Sequence, residues 1–145
     1  MSLFENTSTM RSLAVLEKGL GAQVLRRKVI ANNIANVDVP HFKRSEVVFE
    51  TQLKRAVEHE RSVKADPLPM RMTDSRHIPT RRHEDWREVQ PGIHTDYLTT
   101  MRNDGNNVDM EAEVAKLTRS QLHYSLMADR IGGTFRLLNQ LTRLA

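Results

Sequence analysis

The stretch from Val108 to Ala145 constrains the fold more than any other part of the sequence. No proline interrupts it, and its apolar positions fall on two interlocked heptad-spaced series. One series contains Met110, Leu117, Tyr124, Ile131, Leu138 and Ala145, and the other contains Val114, Gln121, Ala128, Phe135 and Thr142. Spacings that alternate between four and three residues place both series on one side of a helix. The pattern predicts a helix of roughly 55 Å, which needs a partner because a chain of this size cannot cover it.

A second amphipathic helix is predicted over 10–37. Its apolar stripe contains Leu13, Leu16, Leu20, Val24, Ala31, Ile34 and Ala35. The helix is predicted to end near Asn36, which can adopt a left-handed cap, because Pro40 cannot continue a helix. Packing the two terminal helices antiparallel against each other, and then against copies or partners, is the simplest way to bury both stripes.

The middle of the chain is polar and contains all the prolines except Pro40. A short helix is predicted from Ser45, as its N-cap, to about Glu60. Short extended pieces are predicted at Leu68–Thr73 and Ile93–Leu98, with room for a β-hairpin. A turn cluster follows, and Asp109 is placed to cap the last helix.

These elements predict a mainly α, elongated fold with an antiparallel, coiled-coil-like pair of terminal helices. The chain is expected to divide into an N-terminal helix (1–40), a middle segment (41–106) and a C-terminal heptad helix (107–145). An elongated or assembling protein is favoured over a sphere, because only 39% of the residues are hydrophobic and only 5% are aromatic.

The composition excludes several classes of protein. The absence of cysteine excludes disulfides, thiol catalysis and zinc fingers. A net charge of +4 is too mild for a dedicated nucleic-acid binder. No apolar run approaches the ~20 residues that span a bilayer. The N-terminus lacks a basic region followed by an apolar core, so no cleaved signal peptide is expected.

Residue patterns for enzyme chemistry are also missing, and neither a metal nor a cofactor is expected. The six histidines are scattered without an HExxH motif, and no serine sits in a GxSxG elbow. Gly132 and Gly133 lie inside a helical pattern and are interpreted as a point where another backbone comes close. Arginines in the loop 71–87 alternate with acidic residues, which favours local ion pairs over a nucleic-acid patch.

The end of the first helix carries a sharper pattern. The segment from Ala31 to Lys43 reads ANNIANVDVPHFK, with three asparagines in five positions. A plain helix terminus explains Asn36 but not Asn32 or Asn33. We therefore interpret these residues as buried or half-buried amides that fix the register of a helix contact, as polar seam residues do in coiled coils.

This segment closely resembles the ANNIANxxTPGFK motif of bacterial flagellar axial proteins, the family of rod and hook subunits. The matching motif residues are Ala31, Asn32, Asn33, Asn36, Pro40 and Phe42, with departures at Val39 and His41. A second segment, 104–111, reads DGNNVDME and resembles the C-terminal signature of proximal-rod members of that family. That signature is carried by Asn106, Asn107, Val108 and Asp109.

The resemblance implies a non-enzymatic subunit of the flagellar basal-body rod, the shaft that crosses the periplasm and transmits torque. It implies as partners other rod subunits, copies of the chain itself, a small rod-base adaptor like FliE and the flagellar type III export apparatus. No nucleic acid or small-molecule substrate is implied. The residues expected at the interface between subunits are Leu13, Leu16, Leu20, Ile34, Val114, Leu117, Gln121, Tyr124, Ile131, Phe135 and Leu138.

Two other functions use the same features. A cytoplasmic coiled-coil adaptor or chaperone-like binding module would share the long helices but would need no axial-protein motif. A nucleic-acid-binding protein would use the arginine loop, and its affinity would fall steeply with salt.

Overall fold

A computed structural model of the chain describes residues 8–63, 73–74, 76 and 85–144. Within these residues it is mainly helical, as predicted. Its elements are α1 (Ser8–Ala35), β1 (Ser45–Val48), α2 (Glu50–Val63), β2 (Gly92–Thr95) and α3 (Met110–Leu144). The described residues form two compact units, one within Met1–Val47 and Ile93–Ala145, the other within Val48–Gly92.

The first unit is built on the antiparallel pair of α1 and α3. The Asn33 amide near the end of α1 lies 2.9 Å from the Glu113 carboxylate near the start of α3. About two turns beyond Glu113 on α3, Ser120 donates to the Gln23 side chain at 2.8 Å. The packing of the two terminal helices against each other therefore confirms the predicted fold class.

Gly19 of α1 lies against the Met127 side chain of α3. A Cβ atom added there would lie 2.8 Å from the Met127 Sδ, closer than real Cβ atoms approach a neighbour. The prediction that Gly132 and Gly133 mark a close approach is wrong within this chain, because nothing described lies within 4 Å of a Cβ built at either. Gly19 fills that role for the helix pair.

The face that α3 turns toward α1 differs from the predicted seam in one of its two series. Leu117, Tyr124, Ile131 and Leu138 are half-buried, but they alternate with Glu113, Ser120, Met127 and Thr134. Val114 and Phe135 are 45% and 55% exposed, and Gln121 is exposed as well. The intrachain seam therefore shifts by one residue in this series, because buried polar pairs occupy positions that the apolar pattern passed over.

Helix α1 differs from its predicted stripe in the same way. Leu13, Leu16, Leu20 and Ile34 are half-buried, whereas Val24, Ala31 and Ala35 are exposed. The buried positions are Ala22, Gln23, Val29, Ile30 and Asn33.

The predicted cap of the last helix is confirmed. The Asp109 Oδ1 accepts the N–H groups of Glu111 and Ala112 at 3.0 and 3.2 Å. An N-cap carboxylate satisfies backbone donors that have no partner inside the helix and interacts favourably with the positive end of its dipole. This cap places the start of α3 at Met110.

The segment after α1 is a strand where the sequence predicted the start of a helix. Ser45 does not cap a helix; its hydroxyl lies 2.9 Å from that of Thr95, and the Asp96 N–H donates to the Arg44 carbonyl. This pairing makes β1 and β2 an antiparallel two-stranded sheet. The adjacent β-branched residues Val47 and Val48 favour a strand.

The middle unit consists, in its described part, of α2 and a turn near Trp86. Phe49, Ala56 and Trp86 are buried there, and Leu53 donates its N–H to the Phe49 carbonyl at 2.9 Å. The extended piece predicted at 68–73 lies outside the described residues apart from Thr73. Among the described residues, no helix combines the length and apolarity that a membrane crossing needs.

We expect Gly19→Val to lower the free energy of unfolding by about 1 kcal/mol relative to Gly21→Val, because the new side chain displaces the flexible end of Met127. Gly21→Val is the matched control, since nothing lies within 4 Å of a Cβ at that exposed position. Urea unfolding followed by circular dichroism measures both. Equal effects of the two substitutions would contradict the close approach at Gly19.

Candidate functional site

The two motif segments of the sequence meet at one end of the α1–α3 pair. Because the helices are antiparallel, the end of α1 lies beside the start of α3. The His41 N–H donates to the Asp104 carbonyl at 3.0 Å and joins the two segments directly. Three asparagines from these segments, Asn33, Asn106 and Asn107, are fully buried. We call them the asparagine cluster.

Asn106 terminates α1. Its Nδ2 donates to the carbonyls of Asn36, Val37 and Val39 at 3.2, 3.0 and 2.9 Å, and its Oδ1 accepts the Val108 N–H at 2.7 Å. These carbonyls lie in the turn that follows α1, and a side chain from a distant part of the chain supplies their hydrogen bonds. The predicted left-handed cap at Asn36 is wrong, since Asn36 does not have a positive φ.

Asn107 fixes the strand that follows. Its Oδ1 accepts the Arg44 N–H at 2.7 Å, and its Nδ2 donates to the Asp96 carbonyl at 2.8 Å and to the Thr99 Oγ1 at 3.0 Å. Both ends of one amide are thereby used, which is what a buried amide requires. Asn107 therefore holds β1 and the loop after β2 in one arrangement.

Asn33 connects α1, β1 and α3. Its Nδ2 donates to the Ser45 carbonyl at 2.8 Å and to the Glu113 Oε2 at 2.9 Å, and its Oδ1 accepts the Ser45 N–H at 3.0 Å. A slip of α1 by one residue would separate the Asn33 amide from the buried Glu113 carboxylate and remove that hydrogen bond. Asn33 is buried at the helix contact, as interpreted for the motif amides, and its role in fixing the helix register stays a prediction.

Glu113 extends this contact to an ion-pair chain. The carboxylate is 1% exposed and accepts from the Lys116 ammonium at 2.8 Å, and Lys116 also binds Glu46 at 2.7 Å. Burial acts against the charge of Lys116, but its hydrogen bonds to Glu113 and Glu46 outweigh that effect and raise its pKa. The hydrogen bond from Lys116 likewise lowers the pKa of Glu46. Lys116 remains charged and compensates the buried carboxylate.

Two residues with positive φ form the turn beside the cluster. His41 has φ of 62° and Gly105 has φ of 80°. His41 therefore adopts the left-handed conformation at the position where the axial-protein motif has glycine. A Cβ added at Gly105 would lie 2.7 Å from the His41 Nδ1, so Gly105 is needed both for its φ and for its lack of a side chain.

The loop after β2 is held by Asp96. Its Oδ1 accepts the N–H groups of Leu98 and Thr99, and its Oδ2 accepts the Thr99 hydroxyl at 2.7 Å and Arg44 at 3.3 Å. The Thr99 side-chain bond, followed by the backbone bonds and that of Arg44, lowers the pKa of Asp96 to about 2. Lys43 donates to the Thr99 carbonyl at 2.8 Å and closes the loop from the other side.

The structure separates the predicted motif residues into two groups. Asn33, Asn106, Asn107 and Val108 are buried, Asn36, Phe42 and Asp109 are half-buried, and Ala31, Asn32 and Pro40 are exposed. Asn32 and Asn36 are neighbours as predicted, with the Asn36 amide donating to the Asn32 Oδ1 at 3.2 Å. The exposed members are available for contacts outside this unit.

Sequence reasoning missed the partners of the asparagines. The apolar pattern gives Glu113 no role in the helix contact, and the sequence predicts Ser45 as a helix cap instead of a partner of Asn33. The available signal was the heptad spacing from Glu113 to Ser120 and Met127, which marks one face of α3 even though two of its members are polar.

The arrangement is suited to holding segments together rather than to chemistry. The side chains of the asparagine cluster all bond to backbone or to neighbouring side chains, as described above. Among the described residues, no group of three or more His, Asp or Glu side chains is placed to hold a metal ion. The turn after α1 and the approach to β1 both depend on side chains from the segment 104–107.

Comparison with known proteins identifies the same segments. The family model described as "Flagella basal body rod protein" matches residues 13–43. The flagellar basal body rod protein FlgB of Borrelia hermsii is 37% identical over 139 residues, which are 96% of this chain and 97% of that protein. The FlgB proteins of Bacillus subtilis (strain 168) and Escherichia coli (strain K12) are 30% and 25% identical, over 95% and 86% of this chain and 94% and 88% of their own lengths.

We expect Asn33→Ala to reduce the free energy of unfolding by about 3 kcal/mol, because it removes three hydrogen bonds to groups of Ser45 and Glu113 in the interior. Asn32→Ala is the matched control in the same motif, and its exposed side chain predicts a change within about 0.5 kcal/mol. Urea denaturation gives both values. A small effect at Asn33 would show that its bonds do not set the helix register.

Acid is expected to weaken the loop at Asp96. Its folded-state pKa of about 2 lies below the ordinary value of 3.8, so its contribution to stability is complete above about pH 4. That contribution is lost as the pH falls from about 4 to about 2. The urea midpoint of the wild type should fall more over this window than that of Asp96→Asn, and equal slopes would contradict the assignment.

Proposed function

The chain belongs to the FlgB family of flagellar basal body rod proteins, and from this premise we propose that α1 and α3 assemble it into the rod. The chain is a structural subunit, and its terminal helices join it to neighbouring subunits of the torque-transmitting shaft. The observation that carries this proposal is the division of α3 into a face that packs on α1 and a heptad series that remains outside.

The outer series supports an interface between subunits. Val114 and Phe135 belong to it and are about half exposed, although both side chains are apolar. Their common heptad spacing places both on the side of α3 that is left outside the contact with α1. Some residues predicted for the subunit interface, such as Leu117 and Ile131, lie on the face of α3 that is turned toward α1. They would affect the interface indirectly, by positioning α3.

The buried polar contacts support a role in transmitting mechanical force. Asn33, Asn106 and Asn107 connect the end of α1 to the start of α3 through buried bonds, which are shielded from water and resist slippage. A subunit that transmits torque needs helices that do not slide along each other. The same contacts occupy the polar groups that an active site would need, which supports a structural role over an enzymatic one.

The partners proposed for the chain are other rod subunits, further copies of itself, a FliE-like adaptor at the rod base and the flagellar type III export apparatus. The proposed location is the periplasmic part of the rod. The family membership supports the basal body as the location. The export route and the adaptor follow from the resemblance of the motif segments to axial proteins.

The two alternative functions receive less support. Membership of a rod-protein family does not favour a cytoplasmic adaptor. In the loop read as a possible nucleic-acid patch, the described arginines form local ion pairs, Arg76 with Asp74 and Arg87 with Asp85, both at 3.4 Å. Neutralised arginines weaken the field that a phosphate backbone would need.

We expect Phe135→Asp to block incorporation of the chain into basal bodies and to abolish swimming, because a charge cannot be buried in the proposed interface without a partner. Export of the chain should continue. Immunoblotting of purified basal bodies and of the secreted fraction measures both steps. Phe135 is preferable to Leu117 for this test, since its exposure leaves the fold of the variant intact.

Ser125→Asp is the matched control, because Ser125 is an exposed residue of α3 outside both heptad series. It should swim and assemble like the wild type. Normal swimming of the Phe135→Asp variant would show that the outer series is not part of the interface between subunits. Absence of the wild-type chain from basal bodies would refute the rod function itself.

A further inference from the structure

One end of the first unit displays an apolar turn. It is formed by Tyr97, Leu98 and Met101, and the side chain of Leu98 is 97% exposed. The backbone of the turn is held by Asp96, which accepts the N–H of Leu98, and by Lys43, which binds the Thr99 carbonyl. Nothing in the fold of this unit gains from such exposure. A fixed turn that presents an apolar side chain to water is suited to bind a partner.

A leucine strip lies on the C-terminal half of α3. It consists of Leu122, Leu126, Leu137 and Leu141, all of them more than half exposed. Spacings of four and eleven residues keep these side chains on one side of the helix, since eleven residues complete about three turns. Gly133 lies on the same side, and nothing described is within 4 Å of a Cβ built there. The strip therefore contains a gap between two pairs of leucines.

The two surfaces differ in charge. Beside the apolar turn, Asp104, Asp109 and Glu111 lack a cation within ion-pair distance in the described part of the chain. Along the leucine strip, the exposed side chains include Arg130, Arg136 and Arg143, against a single acidic residue, Asp129. Acidic residues at the start of α3 and basic residues at its end also suit the helix dipole. The dipole does not account for the apolar residues at both places.

These charges are too far apart to compensate each other within one chain. Glu111 and Arg136 are separated by about 37 Å along α3, at about 1.5 Å per residue. Electrostatic interactions between exposed charges are screened over about 8 Å at physiological ionic strength. A second copy of the chain carries the complementary charge for each end.

We propose that the apolar turn of one copy docks on the leucine strip of a second copy, with Leu98 entering the gap at Gly133. This inference rests on the proposed rod function and specifies one of the contacts between subunits. The two surfaces are different, so each copy in a row uses both, and the contact continues without closing. Such a heterologous contact generates a helical filament when the rotation does not close a ring.

The charges favour this arrangement over the symmetric one. In the symmetric arrangement, the leucine strip of one copy would pack against the leucine strip of another and bring the arginines of both copies together. Like charges at an interface oppose association. A contact of one turn with one helix face is smaller than a standard protein interface, so it is weak between two free copies. Repetition along an assembly strengthens it, because each added subunit is held at high effective concentration.

Sedimentation velocity of the full chain at about 10–500 µM tests the proposal. We expect concentration-dependent association that is stronger at about 50 mM than at about 500 mM salt, because the complementary charges are exposed and screened. Leu98→Asp and Leu137→Asp should each weaken association at least about tenfold. Thr100→Asp and Asn139→Asp introduce the same charge at neighbouring exposed positions outside the two surfaces and should associate like the wild type.

A mixture of the two defective variants gives the decisive result. Leu98→Asp keeps an intact strip and Leu137→Asp keeps an intact turn, so an equimolar mixture should form one-to-one heterodimers and nothing larger. No heterodimer in the mixture would overturn the proposal. Undiminished self-association of Leu98→Asp would overturn it in favour of a symmetric contact between strips. Matching thermal melts of the variants and the wild type would show that the exposed substitutions leave the fold intact.

The outcome is separable from the rod function. If the wild-type chain is found in purified basal bodies but stays monomeric at every concentration, the docking between copies is wrong and the rod function stands. If the wild-type chain is absent from basal bodies, the proposed rod function is wrong, and the docking proposal loses the premise on which it rests.

Discussion

The position of the two terminal helices depends on one buried carboxylate. Glu113 is almost completely removed from water, and such a charge is tolerated only where hydrogen bonds and an opposite charge surround it. The Asn33 amide supplies a hydrogen bond from α1 and Lys116 supplies the charge from α3 itself. An apolar seam alone would permit several similar packings of two helices. A buried carboxylate that must bond to one particular amide permits only one packing arrangement of the two helices.

The other two asparagines extend this control from the helices to the segments that follow them. Asn106 satisfies the carbonyls at the end of α1, and Asn107 holds Arg44 and Asp96, the residues at which the two strands meet. The segment 104–107 is therefore the place where the end of one helix, the start of another and the edge of a small sheet are determined together. Substitution in any one of these segments affects the other two.

The sequence indicated the large elements well and the contacting faces less well. Heptad spacing and the proline after α1 predicted both long helices, their approximate ends and their antiparallel packing, because these depend on periodicity and local backbone preference. The observed contact face of α3 differs from the predicted one in one series, since Ser120 and Glu113 are polar and a count of apolar residues passes over them.

The strand at Ser45 was predicted as a helix because its conformation is set by Asn33 and Thr95, which are distant in sequence. A buried amide at the end of α1 was predictable from the number of asparagines there, although only Asn33 of the three is buried. Their partners were not, because these come from the other end of the chain.

The two-stranded sheet has a consequence for the variability of the protein. Residues 48–92 leave the first unit at β1 and return to it at β2, and the hydroxyls of Ser45 and Thr95 lie 2.9 Å apart at that point. A segment whose two ends are clamped side by side can be lengthened, shortened or exchanged without pulling on its host, and each doubling of its length costs only about 0.6 kcal/mol of closure entropy. The helical pair can therefore accept segments of different length and sequence in place of residues 48–92 without a change in its own packing.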